Sequence, residues 1–343
     1  MNIGFKRSAV IVMACLGVSA LLAGAVLHSS SNSGQRQTAP DKAMSEADEW
    51  YLPTEDKAAR LYVYEIGNGE PVVVLHGGFG AEHSYLFDAV RGLEDRFHFV
   101  FYDQRGSLRS PCPKDAITIQ KHVEDLEQLR QSLNLEKVNL FAHSAGTILA
   151  MCYLQKYPDH VKNVVLAGAV DPQSGKQYFT AEELAAFKQK DVDFDEFRKR
   201  RDVQADLDKE GINQATKTPK QMTHIWRIKF AAANMYHVDR WRQMKGGQVF
   251  YNPVAGQATG ESLPEEYDFA KVLARHPFPI TVINGEYDYV VGPKGSPTWK
   301  KLCASQIRNV DLVIIDKAGH CVWLDDPVAF KNALSAGLSK RTQ

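Results

Sequence analysis

The sequence predicts an α/β fold: a mostly parallel sheet with helices on both faces and a helical cap inserted into it. Three observations point there. From Trp50 onward, short apolar, β-branched runs alternate with segments of helical periodicity. The run Ala142-His143-Ser144-Ala145-Gly146 sits between one such strand and one such helix. Between Asp171 and about Glu266 the strand rhythm stops and the chain becomes charged and helical.

In chain order, Lys6 and Arg7 precede an apolar run from Ser8 to Leu27 that ends in small residues. A basic start and an apolar stretch read as an export signal, with Ala23-Gly24-Ala25 as a cleavage site. The run is also long enough to span a bilayer, so an uncleaved anchor through residues 8–27 is the rival reading, with Lys6 and Arg7 on the cytoplasmic side. The segment around Cys15 resembles a lipoprotein box only faintly, because Met13 fits poorly. Each reading puts the rest of the chain outside the cytoplasm, in a periplasmic or extracellular setting. Residues 28–49, rich in Ser, Gln, Asp and Glu, read as a flexible linker.

Leu61–Ile66 alternates like a strand, and Val72–Leu75 is wholly apolar, as expected of a strand buried on both faces. His98–Tyr102, Val138–Ala142, Val164–Ala167, Ile280–Asn284 and Leu312–Ile315 are the further strands. Val123, Leu126, Leu129 and Leu133 recur at helical spacing in Ile119–Leu133. Helices are also expected at Ala145–Lys156, near Thr298–Ser305 and from Pro327. The core is therefore expected over 50–170 and 267–343, with residues 171–266 as a cap helical at Ala181–Lys188, Asp195–Asp208 and Pro219–Met235. An insertion at the carboxyl end of a strand covers the place where α/β sheets bind ligands.

Composition excludes some classes. With 44% apolar residues the chain can bury a sizeable core, and equal totals of 41 basic and 41 acidic residues give no basic patch for a nucleic-acid partner. Its 5 cysteines show no C-x-x-C spacing, which argues against a zinc site. Cys152, on the helix after Ser144, reads as a buried free thiol.

The chemistry gathers at three places. Ser144 occupies the middle of a G-x-S-x-G-like elbow, with Ala142 for the first glycine, and a serine there needs an adjacent base to become a nucleophile. Asp288 follows a strand in Asn284-Gly285-Glu286-Tyr287-Asp288, and His320 follows the last strand in Ala318-Gly319-His320. The order Ser, acid, His makes Ser144 the expected nucleophile, His320 the general base and Asp288 its orienting acid. His122 and His160 read as surface residues. The third place is the loop His76-Gly77-Gly78-Phe79-Gly80 after a buried strand. Its N–H from Gly78 or Phe79, together with that of Ala145, would form an oxyanion hole, with His76 and Gly77 supporting the loop. Such a triad needs no metal and no organic cofactor.

His76-Gly77-Gly78-Phe79-Gly80 and Asp103-Gln104-Arg105-Gly106-Ser107-Leu108-Arg109-Ser110 resemble the H-G-G-P-G and D-Q-R-G-x-G-x-S motifs of the prolyl aminopeptidase (proline iminopeptidase) branch of the α/β-hydrolase fold. The likeness covers roughly residues 55–170 and 270–338. It implies an α/β-hydrolase fold with a helical cap, a serine hydrolase that releases N-terminal residues, often proline, from short peptides, and Asp103 and Arg105 as loop supports. It also implies cap carboxylates that read the substrate's free amine, with Glu182, Glu183, Asp191, Asp193, Asp195 and Glu196 as candidates. Phe79 stands where the family has proline, the His before Ser144 is more like general esterases, and no W-x-x-W-E motif occurs. An esterase acting on small esters is therefore the competing expectation, and a non-catalytic binding protein a third. Trp226, Phe230, Tyr236 and Trp241 are candidates for an apolar pocket or for core packing.

Overall fold

The computed structural model describes residues 47–340 apart from 248, 249 and 277. The expected export signal or anchor, and all but the last three residues of the expected linker, lie outside the described residues. Strand β1, Asp48–Pro53, takes in the last two linker positions. Its outward side chains are polar or exposed, which is why composition alone reads them as linker.

Among the described residues ten strands follow one another: β1, β2 (Arg60–Ile66), β3 (Glu70–Leu75), β4 (Phe97–Tyr102), β5 (Val138–His143), β6 (Val161–Ala167), β7 (Gln173–Ser174), β8 (Tyr267–Asp268), β9 (Ile280–Gly285) and β10 (Val310–Ile315). Eight form one sheet in the order β1-β2-β4-β3-β5-β6-β9-β10. β2 runs antiparallel to β1 and β4, and every pair from β4 to β10 is parallel. The helices are α1 (Phe87–Val90), α2 (Ile119–Ser132), α3 (Ala145–Lys156), α4 (Ala181–Arg198), α5 (Arg201–Lys209), α6 (Pro219–Asn234), α7 (Pro253–Ser262), α8 (Ala270–Arg275), α9 (Pro297–Ser305), α10 (Val322–Asp325) and α11 (Pro327–Leu338).

The central strands are buried on both faces because helices cover both. Val73, Leu75, Leu140 and Leu166 pack with α2 and α3 on one side. Val72, Val74, Phe141 and Val165 pack with Val322, Phe330 and Leu334 on the other. Each such wholly buried side chain contributes on the order of 1.5–3 kcal/mol. This two-sided burial is what makes a continuous apolar run the signature of a central parallel strand.

Residues between β7 and β8 form the helical insertion. Its two ends meet in a short antiparallel ribbon, Gln173 opposite Asp268 and Ser174 opposite Tyr267. Capping boxes start α4 at Thr180 and α6 at Thr218. The break expected before Asp195 falls instead after Arg198, where Arg200 leaves the helical region at φ −56°, ψ 144° before α5. Residues 198–202 are all charged, so no apolar period marks the break.

His122 is not a surface residue. It is 1% exposed, its Nε2 pairs with Thr259 Oγ1 at 2.9 Å, and burial lowers its pKa to about 3. α7, which folds back over α2, covers it, and nothing local in sequence announces that contact. His160 stays half-buried beside Glu127. Cys112, Cys152, Cys303 and Cys321 form no disulfide among the described residues, and burial pushes the Cys152 thiol up to about 12.

Candidate active site

β5 ends at His143 and α3 begins at Ala145, so Ser144 must reverse the chain within one residue. It does so at φ 54°, ψ −126°, a conformation that costs a non-glycine residue energy and persists only under surrounding constraint. The Ser144 N–H donates to Ala167 O on β6 (3.0 Å), and Thr147 Oγ1 donates to Ser144 O (2.6 Å). The close approach also requires small neighbours. A Cβ on Gly77 would lie 2.6 Å from Ser144 Cβ, and one on Gly146 would lie 2.5 Å from Leu75 O.

Asp288 and His320 arrive from the ends of β9 and β10. Asp288 Oδ1 accepts the Val290 N–H at 3.0 Å, and Oδ2 lies 2.9 Å from His320 Nδ1. A carboxylate only accepts, so Nδ1 carries a proton, and in the neutral ring Nε2 presents a lone pair. The His320 N–H donates to Asn234 O at the end of α6 (2.6 Å). Ser144 and His320 both border one cavity, and neither Ser144 Oγ nor His320 Nε2 hydrogen-bonds a protein group among the described residues.

That cavity measures about 900 Å³, part of it open to solvent. Val170, Trp226, Phe230, Met244, Phe250 and Val290 make its walls mostly apolar. The rings of Trp226 and Phe230 stack 5.1 Å apart. Tyr236 packs instead on Tyr287, and Trp241 is buried with its Nε1 donating to Asp206. Gly78 and Ala145 border the cavity. Phe79 does not: its ring is wholly buried and stacks on His122 at 5.6 Å. No protein acceptor takes the N–H of Gly78 or Ala145 among the described residues. The N-terminus of α3 adds its positive end at the same spot.

The loop supports lie beneath. His76 is buried, its Nε2 accepts the Gln104 N–H (3.1 Å), and its Nδ1 faces Gly77 O (3.2 Å). Asp103 accepts from the His83 N–H (3.1 Å), His83 Nδ1 (2.6 Å) and the Arg109 N–H (3.2 Å). Arg105 grips Asp125 with two bonds of 2.7 and 2.6 Å and reaches Asp56 at 2.9 Å. The DQRG segment is thereby tied to α2 and to the chain after β1.

Four of the candidate cap carboxylates stand elsewhere. Glu183 pairs with Lys301, Glu196 with Lys199, Asp193 accepts from Gln189, and Glu182 is exposed. The side chains of Asp191 and Asp195 lie outside the described residues. Among the described residues the one carboxylate bordering the cavity is Glu82, from the loop after β3. It is 2% exposed, accepts from Ser84 N and Ser84 Oγ (both 2.8 Å), and lies 3.3 Å from Arg109 Nη1. Sequence reasoning misses Glu82 because it sits in the core loop, where only the glycines attract notice. It equally misses Tyr85, whose hydroxyl lies 2.8 Å from His143 Nδ1 and takes the Gly77 N–H at 2.6 Å.

A fold of this topology, with a serine elbow, a histidine–aspartate pair and a roofed cavity at the carboxyl edge of the sheet, has the architecture of a hydrolase. The family described as alpha/beta hydrolase fold matches residues 70–327, and the chain belongs to that family. Its relatives include proline iminopeptidases. The one from Heyndrickxia coagulans is 39% identical over 105 residues, 30% of this chain and 36% of that protein. The one from Flavobacterium johnsoniae is 28% identical over 279 residues, 77% of this chain and 87% of that protein. An esterase from Exiguobacterium antarcticum shares the fold with a TM-score of 0.59 at 19% identity, over 84% of this chain and 99% of that one.

Proposed function

We propose that this chain is a serine aminopeptidase that releases an N-terminal residue, proline-type, from short peptides. In the reaction His320 Nε2 takes the proton of Ser144 as Oγ attacks the scissile carbonyl. Asp288 holds the imidazole tautomer and stabilises the imidazolium. Backbone N–H groups of Ala145 and Gly78 receive the oxyanion. The imidazolium then protonates the leaving amine, and a water activated by His320 releases the acyl group from Ser144, returning the proton to the enzyme.

The observation that carries the peptidase reading is Glu82, a buried carboxylate at the edge of a mostly apolar cavity that Lys245 also borders. An ammonium entering such a cavity needs a counter-charge, and an apolar side chain needs the walls. The test is hydrolysis of proline and alanine 4-nitroanilides, free and N-acetylated, beside 4-nitrophenyl butyrate. Wild type is expected to cleave the free anilides, Ser144→Ala to cleave none, and Glu82→Gln to raise KM for the free amines by about tenfold. Cleavage of the butyrate ester alone would leave a carboxylesterase, the reading favoured by the apolar walls at Trp226 and Phe230. The basic-then-apolar start of the chain supports export, by a cleaved signal or a tether through residues 8–27. Cell fractionation with N-terminal sequencing separates the two.

A further inference from the structure

Four separate segments meet behind Ser144 through three hydrogen bonds. The Gly77 N–H, in the loop after β3, lies 2.6 Å from Tyr85 Oη. Tyr85 Oη lies 2.8 Å from His143 Nδ1, and His143 Nε2 lies 3.1 Å from the carbonyl oxygen of His320. Elementary donor and acceptor rules give this chain one direction. A carbonyl only accepts, so His143 Nε2 carries the proton and Nδ1 is a bare lone pair. The Tyr85 hydroxyl must then donate to Nδ1, which leaves its own lone pair to accept the Gly77 N–H. His143 stays neutral throughout, because burial and the neighbouring His320 hold its pKa well below the usual histidine range. Each bond polarises the next in the same sense.

Two consequences follow for the acyl-transfer site. The Gly77 N–H is committed to Tyr85, so the first free donor of this loop is the Gly78 N–H, on the next peptide. And the backbone of His320 is held from behind by the same residue, His143, that precedes the nucleophile. The rings of His143 and His320 lie 4.6 Å apart, and a Cβ on Gly168 would crowd both at 3.0–3.1 Å.

We propose that Tyr85 is a positioning residue for acyl transfer: with its hydroxyl oriented by His143, it fixes the Gly77 peptide, so that the Gly78 N–H is aimed at the oxyanion, and through His143 it fixes the His320 backbone. The proposal rests on the serine mechanism above. Its effect belongs to the transition state, because donors held in advance need no reorganisation when charge develops. Tyr85 borders the cavity, but the apolar walls at Trp226, Phe230 and Phe250 are untouched.

The experiment compares wild type, Tyr85→Phe, His143→Gln, His143→Leu and Ser144→Ala on whichever of the free anilides or 4-nitrophenyl butyrate is turned over. It adds the affinity of a boronic acid, which mimics the oxyanion adduct on Ser144, and of the product acid, which does not. Tyr85→Phe is expected to lower kcat about 10- to 100-fold and to weaken the boronate by the same factor. KM and product-acid affinity are expected to stay within about threefold. His143→Gln, whose amide offers an accepting oxygen and a donating NH₂, is expected to retain kcat within about threefold, and His143→Leu to lose it as Tyr85→Phe does. If Tyr85→Phe does not fold, the glutamine and leucine variants read the same relay. The proposal is overturned if kcat of Tyr85→Phe stays within about twofold, if the loss falls on KM, if the boronate affinity does not follow kcat, or if His143→Gln is as impaired as His143→Leu. Activity surviving in Ser144→Ala would overturn the serine mechanism itself. Loss in Ser144→Ala with none in Tyr85→Phe would remove only the relay.

Discussion

Ser144 adopts a backbone conformation that a serine does not choose by itself, and the residues around it explain why it stays there. Its N–H is held by β6, its carbonyl by Thr147, and its Cβ faces the only side chain that fits, the hydrogen of Gly77. In Gly77→Ala the new methyl would lie 2.6 Å from Ser144 Cβ, 2.8 Å from His143 O and 3.0 Å from Tyr85 Oη. Two of these atoms belong to the elbow and cannot yield cheaply. We expect Gly77→Ala to lower kcat/KM by roughly a hundredfold or more, since displacement of about 1 Å at a reacting group is enough. A steady-state assay beside a thermal melt checks it; full activity would mean that the elbow accommodates the methyl. The sequence motif contains both glycines and the serine, so the residues of this contact are legible, while the tightness of the contact is not.

Elements succeed where local pattern and burial agree. α2 starts at Thr118, whose side chain accepts the Lys121 N–H, and turns Ile119, Val123, Leu126 and Leu129 inward. Its buried charges are less expected. Glu127 accepts from Arg130 Nε and Nη2 (2.9 and 2.6 Å), Tyr153 Oη (2.7 Å) and Gln131 Nε2 (2.9 Å), and lies 3.1 Å from His160 Nδ1. Burial alone would raise this carboxyl, but the partners, Arg130 first, hold it down at about 2, against an ordinary 4.5. A depressed carboxylate contributes stability that is fully present above about pH 4.5 and is lost as pH falls through about 2. Glu127→Gln is therefore expected to cost about 1–3 kcal/mol at neutral pH and to flatten the fall in melting temperature between pH 4.5 and 2. An unchanged acid profile would show that Glu127 does not supply this dependence. α2 itself follows from apolar periodicity, but a glutamate on an amphipathic helix reads as solvent-facing until α3 and Tyr153 are packed against it.

At the scale of the whole molecule, a buried carboxylate is one of the joints between the inserted helices and the core. Asp325, on α10 after the His320 loop, accepts the N–H groups of Tyr236 and His237 just past α6 (2.9 Å each) and of Gly319 (2.8 Å). Arg240 returns the contact by donating to Leu324 O and Asp325 O. The wall of the cavity on α6 and the loop that carries His320 therefore move together or not at all. Asp325→Asn replaces one accepting oxygen with a donor and leaves at least one backbone N–H unpaired, at about 1–3 kcal/mol. We expect a melting temperature lower by roughly 2–6 °C and a fall in kcat/KM, because Gly319 precedes His320. Calorimetry with parallel kinetics reads both, and a loss of stability with unaltered kinetics would show that the joint does not transmit to the site.

The sequence by itself determined the strands β2 to β6, β9 and β10 and the helices between them at α2, α3 and α9, but not β1, β7, β8 or the helices α1, α7, α8 and α10. It determined as well the elbow at Ser144, the glycine loop after β3 and the order Ser144, Asp288, His320. These are local signals: two-sided apolar runs, helical spacing, and small residues where the backbone must turn or approach. Tertiary structure alone decided that Asp288 Oδ2 comes 2.9 Å from His320 Nδ1, that His122 is buried under α7, and that among the described residues Glu82 is the carboxylate bordering the cavity. It also decided that Tyr85 joins Gly77 to His143. The physical reason is the same in each case. Burial and hydrogen bonding of a polar side chain depend on partners distant in sequence, up to 137 residues for His122, and no periodicity or spacing within a segment encodes them.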